Sequence, residues 1–228
     1  MFKHIIPHIP QNTQVSFSKK ADVLTDSARI HPALKINAQS TIRQAFALYD
    51  AGLNVFPQPY GRKAGYPWQR LLYLRLSRDD ASYGLRRLFA GRCNIAVMCG
   101  KTSGNLFVID CETQTTLQAN ITALRQRRIP LWVARTRRGG HIYLRACEGE
   151  VENIHSGTLT DQEIKGRDGY VLAPPSLHPS GARYQWLHRE GEQPPLVSIQ
   201  VIDWLKTKDG TPVHLRATPL TAQREILP

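Results

Sequence analysis

Three stretches of this 228-residue chain carry residues whose types and spacing could do chemistry. The first is Phe107-Val108-Ile109-Asp110-Cys111-Glu112. On a β-strand successive side chains alternate faces, so Asp110 and Glu112 share one face roughly 7 Å apart. Two carboxylates placed that way at the end of an apolar run can carry a divalent cation; the same pattern also describes a strand whose outer face has met solvent. The second stretch is Gly139-Gly140-His141, between two apolar segments. The third is Gln162-Glu163-Ile164-Lys165-Gly166, where Glu163 and Lys165 share a strand face. His141 reads either as a ligand-contacting ring or as a capping or core histidine. Glu163 reads either as a further acid of the site or as a solvated strand residue.

The periodicity predicts the elements that must position these groups. Ser40 caps a helix running to about Tyr49, and Leu53 to Phe56 is a strand stopped by Pro57 and Pro59. A second helix spans Asp79 to Phe89, followed by the apolar strand Asn94 to Met98. Gly100-Lys101-Thr102-Ser103-Gly104 lacks the upstream glycine and the following helix of a phosphate-binding loop, and reads as a turn. After the acidic strand comes a helix from about Thr113 to Arg128, whose Arg125, Arg127 and Arg128 suit the C-terminal end of the helix dipole. Leu131 to Thr136 and the run through His141, Tyr143 and Arg145 are strands, as is Gly169 to Ala173. A last helix is expected from Ile199 to Lys206. Residues 1–38 show no sustained period and read as an arm, 39–207 as one domain, and 208–228 as a tail or linker.

Thirty Lys and Arg against eighteen Asp and Glu give a formal net charge of +12. That excess favours polyanionic partners, nucleic acid or nucleotides, over an acidic protein; a surface charge that only aids solubility would give the same composition. The stretch Tyr60 to Trp68 is basic and aromatic, with Arg62 and Lys63 suited to phosphate and its rings to bases; an ordinary surface loop of a basic protein would look the same. No apolar run approaches the roughly 20 residues that cross a bilayer, so no membrane partner and a cytoplasmic location are expected. The four cysteines contain no C-x-x-C and read as buried free thiols, not as a disulfide framework or a zinc site.

Taken in order, these pieces resemble the bifunctional primase–polymerase (Prim-Pol) family of the archaeo-eukaryotic primase superfamily, over roughly residues 40 to 190. The most specific portion is Gly169-Tyr170-Val171-Leu172-Ala173-Pro174-Pro175-Ser176, with His178, Ser180-Gly181, Tyr184 and Trp186 beyond it. Asn94-Ile95, Gly100 with Ser103-Gly104, and Thr136 with Gly139-Gly140-His141 fall in the family's order. The resemblance implies an α/β (α+β) fold, an antiparallel-rich sheet with flanking helices around an RRM-like catalytic core. It implies template-directed nucleotidyl transfer, as DNA primase, DNA polymerase or both. Asp110, Glu112 and Glu163 would hold two divalent cations, Mg²⁺ or Mn²⁺, and His141 would contact the incoming nucleotide's phosphates. Lys165, Ser176 and His178 would complete the nucleotide site, while Arg62, Lys63, Arg137 and Arg138 would track nucleic acid. The implied partners are a single-stranded or primed DNA template, dNTP or NTP, and a replicative helicase of the same plasmid or phage system.

Three positions depart from the family pattern. Glu163 stands where Asp is usual, Gly139 where a small hydroxyl residue precedes the histidine by two, and Asp168 where a second glycine is common. The departures motivate an alternative: a catalytically degenerate Prim-Pol fold acting as a nucleic-acid-binding replication module. A metal-dependent nuclease using the same acids is a third possibility.

Overall fold

The computed structural model describes residues 38–60, 68–75, 77–89 and 93–219. In chain order these form α1 (Ala38–Asp50), β1 (Val55–Gln58), α2 (Arg78–Leu88), β2 (Asn94–Met98), β3 (Leu106–Cys111), α3 (Gln114–Gln126), β4 (Trp132–Arg135) and β5 (Gly140–Ala146). There follow β6 (Glu150–Val151), β7 (Ile154–Leu159), β8 (Gln162–Lys165), β9 (Tyr170–Ala173), β10 (Gln185–Arg189), β11 (Leu196–Val197) and β12 (Ala217–Thr218). The arm read in residues 1–38 lies almost wholly outside the described residues, and among those described no helix is long and apolar enough to cross a membrane.

Local chemistry accounts for where the main helices begin. The Ser77 hydroxyl accepts the Asp80 N–H at the start of α2, and the Thr113 hydroxyl accepts the Thr116 N–H at the start of α3. The strand expected to stop at Pro57 instead continues through it to Gln58. β1 is an edge strand, paired only with β2, so a residue without an N–H can sit in it without breaking a second ladder. Gly100 to Gly104 is the turn that was expected: a short 3-10 turn at Lys101–Ser103 leads into a strand, not a helix.

The strands form two principal sheets. One has three strands in the order β1-β2-β9; the other follows β10-β4-β5-β3-β8-β7, with β11 alongside β5. All pairings in both are antiparallel except β11 with β5, as the antiparallel-rich expectation requires. Alternation along β3 divides the core. Phe107, Ile109 and Cys111 join Leu117, Ile121 and Leu124 of α3 in one cluster, with Val133, Ile142, Leu144 and Ile164. Leu106 and Val108 face the other way, into a cluster with Tyr143, Trp132, Val97, Val171 and residues of α1 and α2. Asp110 therefore emerges on the side of β3 that looks toward the three-stranded sheet.

Behind the acidic strands lies a buried amide network. Asn120 of α3 donates to the Gln162 side chain at 2.8 Å and to the Thr116 carbonyl at 2.9 Å, and accepts the Trp204 indole N–H at 2.8 Å. This network explains a correction. The helix expected at Ile199–Lys206 is only a 3-10 turn at Ile199–Val201, capped by Ser198. Ile202 and Leu205 are both buried, and their spacing of three imitates a helical face. The segment is pinned instead by Trp204 on Asn120 and by Asp203, whose carboxylate lies 2.5 Å from Arg127. Within the stretch read as a tail or linker, Leu215 is buried and β12 pairs with β6.

Asn120→Ala leaves the Gln162 carbonyl and the Trp204 N–H without their partner. A loss of about 2 to 3 kcal/mol of stability is expected in urea unfolding; a loss below about 0.5 kcal/mol would show that the network is not the brace described.

Candidate functional site

β3 is hydrogen-bonded on both sides, and the register places Asp110 directly opposite His141 of β5 and Glu163 of β8. Three motifs separated in sequence thus meet in one row across three strands. The His141 Nε2 lies 3.4 Å from an Asp110 oxygen. Its Nδ1 lies 3.1 Å from the Leu172 carbonyl, which can only accept, so Nδ1 carries a proton. Register sets the Glu163 carboxylate beside that of Asp110 on the neighbouring strand. The Lys165 ammonium sits 2.8 Å from Glu163, in keeping with a shared strand face. Burial pushes the Asp110 carboxyl up, but the charge and hydrogen bond of His141, with Lys165 and Glu163 adding to them, outweigh it and hold it below its ordinary value.

Glu112 is placed differently. It lies one residue past β3, where its N–H donates to the Asp161 carbonyl at 2.8 Å as the chain turns toward the Thr113 cap. Among the described residues no group of three or more His, Cys, Asp and Glu side chains is placed to hold a metal ion. The row brings two carboxylates together, Asp110 and Glu163, each with a basic partner of its own.

The row opens on a cleft of about 630 Å³ between the two sheets, lined by Asp110, His141 and Lys165 on one side and by Tyr170, Leu172 and His178 on the other. The His178 Nδ1 accepts the Ser180 N–H at 3.1 Å and lies 2.9 Å from the Ser180 hydroxyl, so Nε2 carries the proton in the neutral ring. Partial burial, and then the positive charges of Arg137 and Arg138, hold His178 below the ordinary histidine range. Both arginines are therefore felt at the cleft. Ser176 serves the backbone instead. Its buried hydroxyl accepts the Ile95 N–H at 3.0 Å and donates to the Ile95 carbonyl at 3.2 Å, locking the turn after β9 to β2. Arg62 and Lys63 lie outside the described residues.

Two of the departures from the family pattern have local explanations. Asp168 has φ 63, a left-handed backbone that glycine adopts freely and Asp tolerates better than most residues. At Gly139 a Cβ would stand 2.0 Å from the Cys111 carbonyl oxygen, so in this chain no side chain fits there. The four cysteines are free. Burial, then the Asp110 charge, pushes the Cys111 thiol up to about 12, which makes it an inert core residue. Cys147, expected inside, is exposed. The sequence reading also missed His155, Asp168 and Gln58 as cleft residues. For Gln58 the signal was present, because it shares the face of Phe56 at strand spacing.

A two-sheet α/β fold whose central strand carries an acid flanked in register by a histidine and a second acid, facing a polar cleft, has the architecture of a Prim-Pol core. The family model for the bifunctional DNA primase/polymerase, N-terminal (Prim-Pol), matches residues 45–198, and the chain belongs to that family. No curated protein matches the chain.

Because the Asp110 carboxyl is held below its unfolded value, near about 3.9, the stability it contributes is fully present above that value and lost as pH falls through the folded one. The stability difference between the wild type and Asp110→Asn in urea is expected to hold steady down to about pH 5 and to shrink as pH falls below about 4. A difference that stays constant would refute the depressed carboxyl.

Proposed function

We propose that this Prim-Pol domain binds nucleotide triphosphate and nucleic acid through the cleft and serves DNA replication as a binding module. The observation that carries this reading is the gathering of phosphate-seeking groups at one cleft: His141, Lys165 and His178 line it, and Arg137 and Arg138 act on His178. Lys165 is shared with Glu163, so the arginine side is the freer source of positive charge. The net charge of +12 supports the same class of partner and a salt-sensitive affinity.

A second reading, template-directed nucleotidyl transfer as primase or polymerase, is favoured by the placing of Asp110 and Glu163 as cross-strand neighbours. Two neighbouring carboxylates suit a hard cation such as Mg²⁺ or Mn²⁺, which fills its remaining positions with phosphate oxygens and water. Asp110 and Glu163 would hold it, with Glu112 added on the family resemblance. Such ions, when bound, lower the pKa of an attacking hydroxyl and neutralise a triphosphate. The chain's own contribution is positional. Three paired strands hold the acids in register, the Leu172 carbonyl fixes the His141 ring, and His141 and Lys165 balance the carboxylates.

Fluorescence anisotropy with single-stranded DNA, over a range of salt, tests the binding reading. Log affinity is expected to fall linearly with log salt, and Arg137→Ala combined with Arg138→Ala to flatten the slope by about 0.7 per arginine removed. Binding that ignores salt would overturn it. Primer extension with dNTPs or NTPs and either metal, beside Asp110→Ala, decides the second reading. Products that vanish in the variant establish transfer chemistry; no products alongside salt-sensitive binding leave the binding module alone.

A further inference from the structure

Gln58 closes β1 at the floor of the cleft and is only 2% exposed. Among the described residues neither its Oε1 nor its Nε2 has a hydrogen-bond partner. Leaving both ends of an amide buried and unpaired is destabilising, and native interiors rarely tolerate it without a reason. Its cross-strand neighbour shows the contrast. Asn94, opposite Gln58 in the β1–β2 register, accepts the Leu177 N–H at 2.7 Å and donates to the Leu177 carbonyl at 3.0 Å. The same chemistry is satisfied in one residue and left open in the other.

We infer that Gln58 is the residue that hydrogen-bonds the nucleobase edge of a nucleotide held in the cleft. This rests on the nucleotide-binding reading proposed above. An amide presents one acceptor and one donor in a plane, and base edges offer neighbouring donors and acceptors in a plane. Rotation of the terminal amide exchanges the two, so one glutamine serves more than one base. The surroundings suit a base as well. Leu172 and Tyr170 line the same cleft, and the Tyr170 ring meets Phe56 edge-on at 5.3 Å, giving apolar and aromatic faces beside the polar amide. The spacing agrees too. The Leu172 carbonyl holds His141, and β1 lies two strands from β9, about 10 Å away. That separation is comparable to the reach from a nucleotide's outer phosphates to its base, so phosphate would lie at the His141 end and base at the Gln58 end. Rotation about its own side-chain torsions brings the amide out to an entering base.

The test is calorimetric titration of the full chain with ATP, CTP, GTP, UTP, the matching deoxynucleotides and inorganic tripolyphosphate, for the wild type and Gln58→Leu. The variant should bind every nucleotide about tenfold more weakly, the loss of two modest hydrogen bonds, and bind tripolyphosphate as the wild type does. Its melting temperature should be equal or higher, since two unpaired buried polar atoms are gone. Unchanged nucleotide affinity would overturn the assignment while leaving the nucleotide-binding reading intact. Loss confined to ribonucleotides would place Gln58 on the sugar hydroxyl and overturn it as well. Equal loss of tripolyphosphate with a lower melting temperature would show a purely structural role. A wild type that binds neither nucleotides nor tripolyphosphate would remove this inference together with the reading beneath it. If Gln58→Leu does not fold, Gln58→Met, unbranched and also without donors, is judged by the same outcomes.

Discussion

Everything at the site depends on β3 having a hydrogen-bonded neighbour on each side. An edge strand would offer Asp110 one partner, whereas a strand between β5 and β8 offers two at once, a histidine and an acid. The register that sets this is not negotiable. A slip of one residue would turn Asp110 toward α3 and bring Ile109 or Cys111 out into the cleft. Phe107, Ile109 and Cys111 are already packed against Leu117, Ile121 and Leu124 of α3, and a carboxylate has no compensating partner there. The apolar face of β3 thus places its one charged group more firmly than the charged group's own contacts do.

Electrostatics follow from that placement. His141, Asp110, Glu163 and Lys165 run across adjacent strands as base, acid, acid, base, so each carboxylate has a basic side chain beside it. Positive excess sits instead at the periphery, where Arg137 and Arg138 depress the titration of His178. For the binding role proposed here, a floor of paired charges beneath a basic rim would attract a phosphate chain from outside while demanding little desolvation of unpaired charge inside.

How much of this was legible follows from which forces act locally. The main strands and helices were readable because apolar periodicity and caps such as Thr113 are properties of a few neighbouring residues. The shared face of Glu163 and Lys165 was readable for the same reason, though not that the two would pair with each other. The convergence of Asp110, His141 and Glu163 was only inferable from the family's motif order, since strand register is a long-range property. Ile199 to Lys206 misled because burial of Ile202 and Leu205 mimics a helical stripe, while the bond that decides the matter comes from Asn120, far away in sequence. Ser176 carries a polar side chain in a motif, yet its hydroxyl closes a backbone ladder to Ile95, which no local pattern reveals. Pro57 read as a stop because a sequence does not say whether a strand is at the edge.

The link between β8 and β9 has a consequence for how the cleft is loaded. Residues 166 to 169 carry the chain from β8 in one sheet to β9 in the other, a shorter link than 99–105 or 174–184, tied by the Gly169 N–H to the Gly166 carbonyl at 3.0 Å. Asp168 and Gly169 of this link also line the cleft. At this link the two walls are joined like the covers of a book along a short spine. If the cleft takes nucleic acid as proposed, so short a link would let the walls part little at that end, and loading would come from elsewhere along the trough.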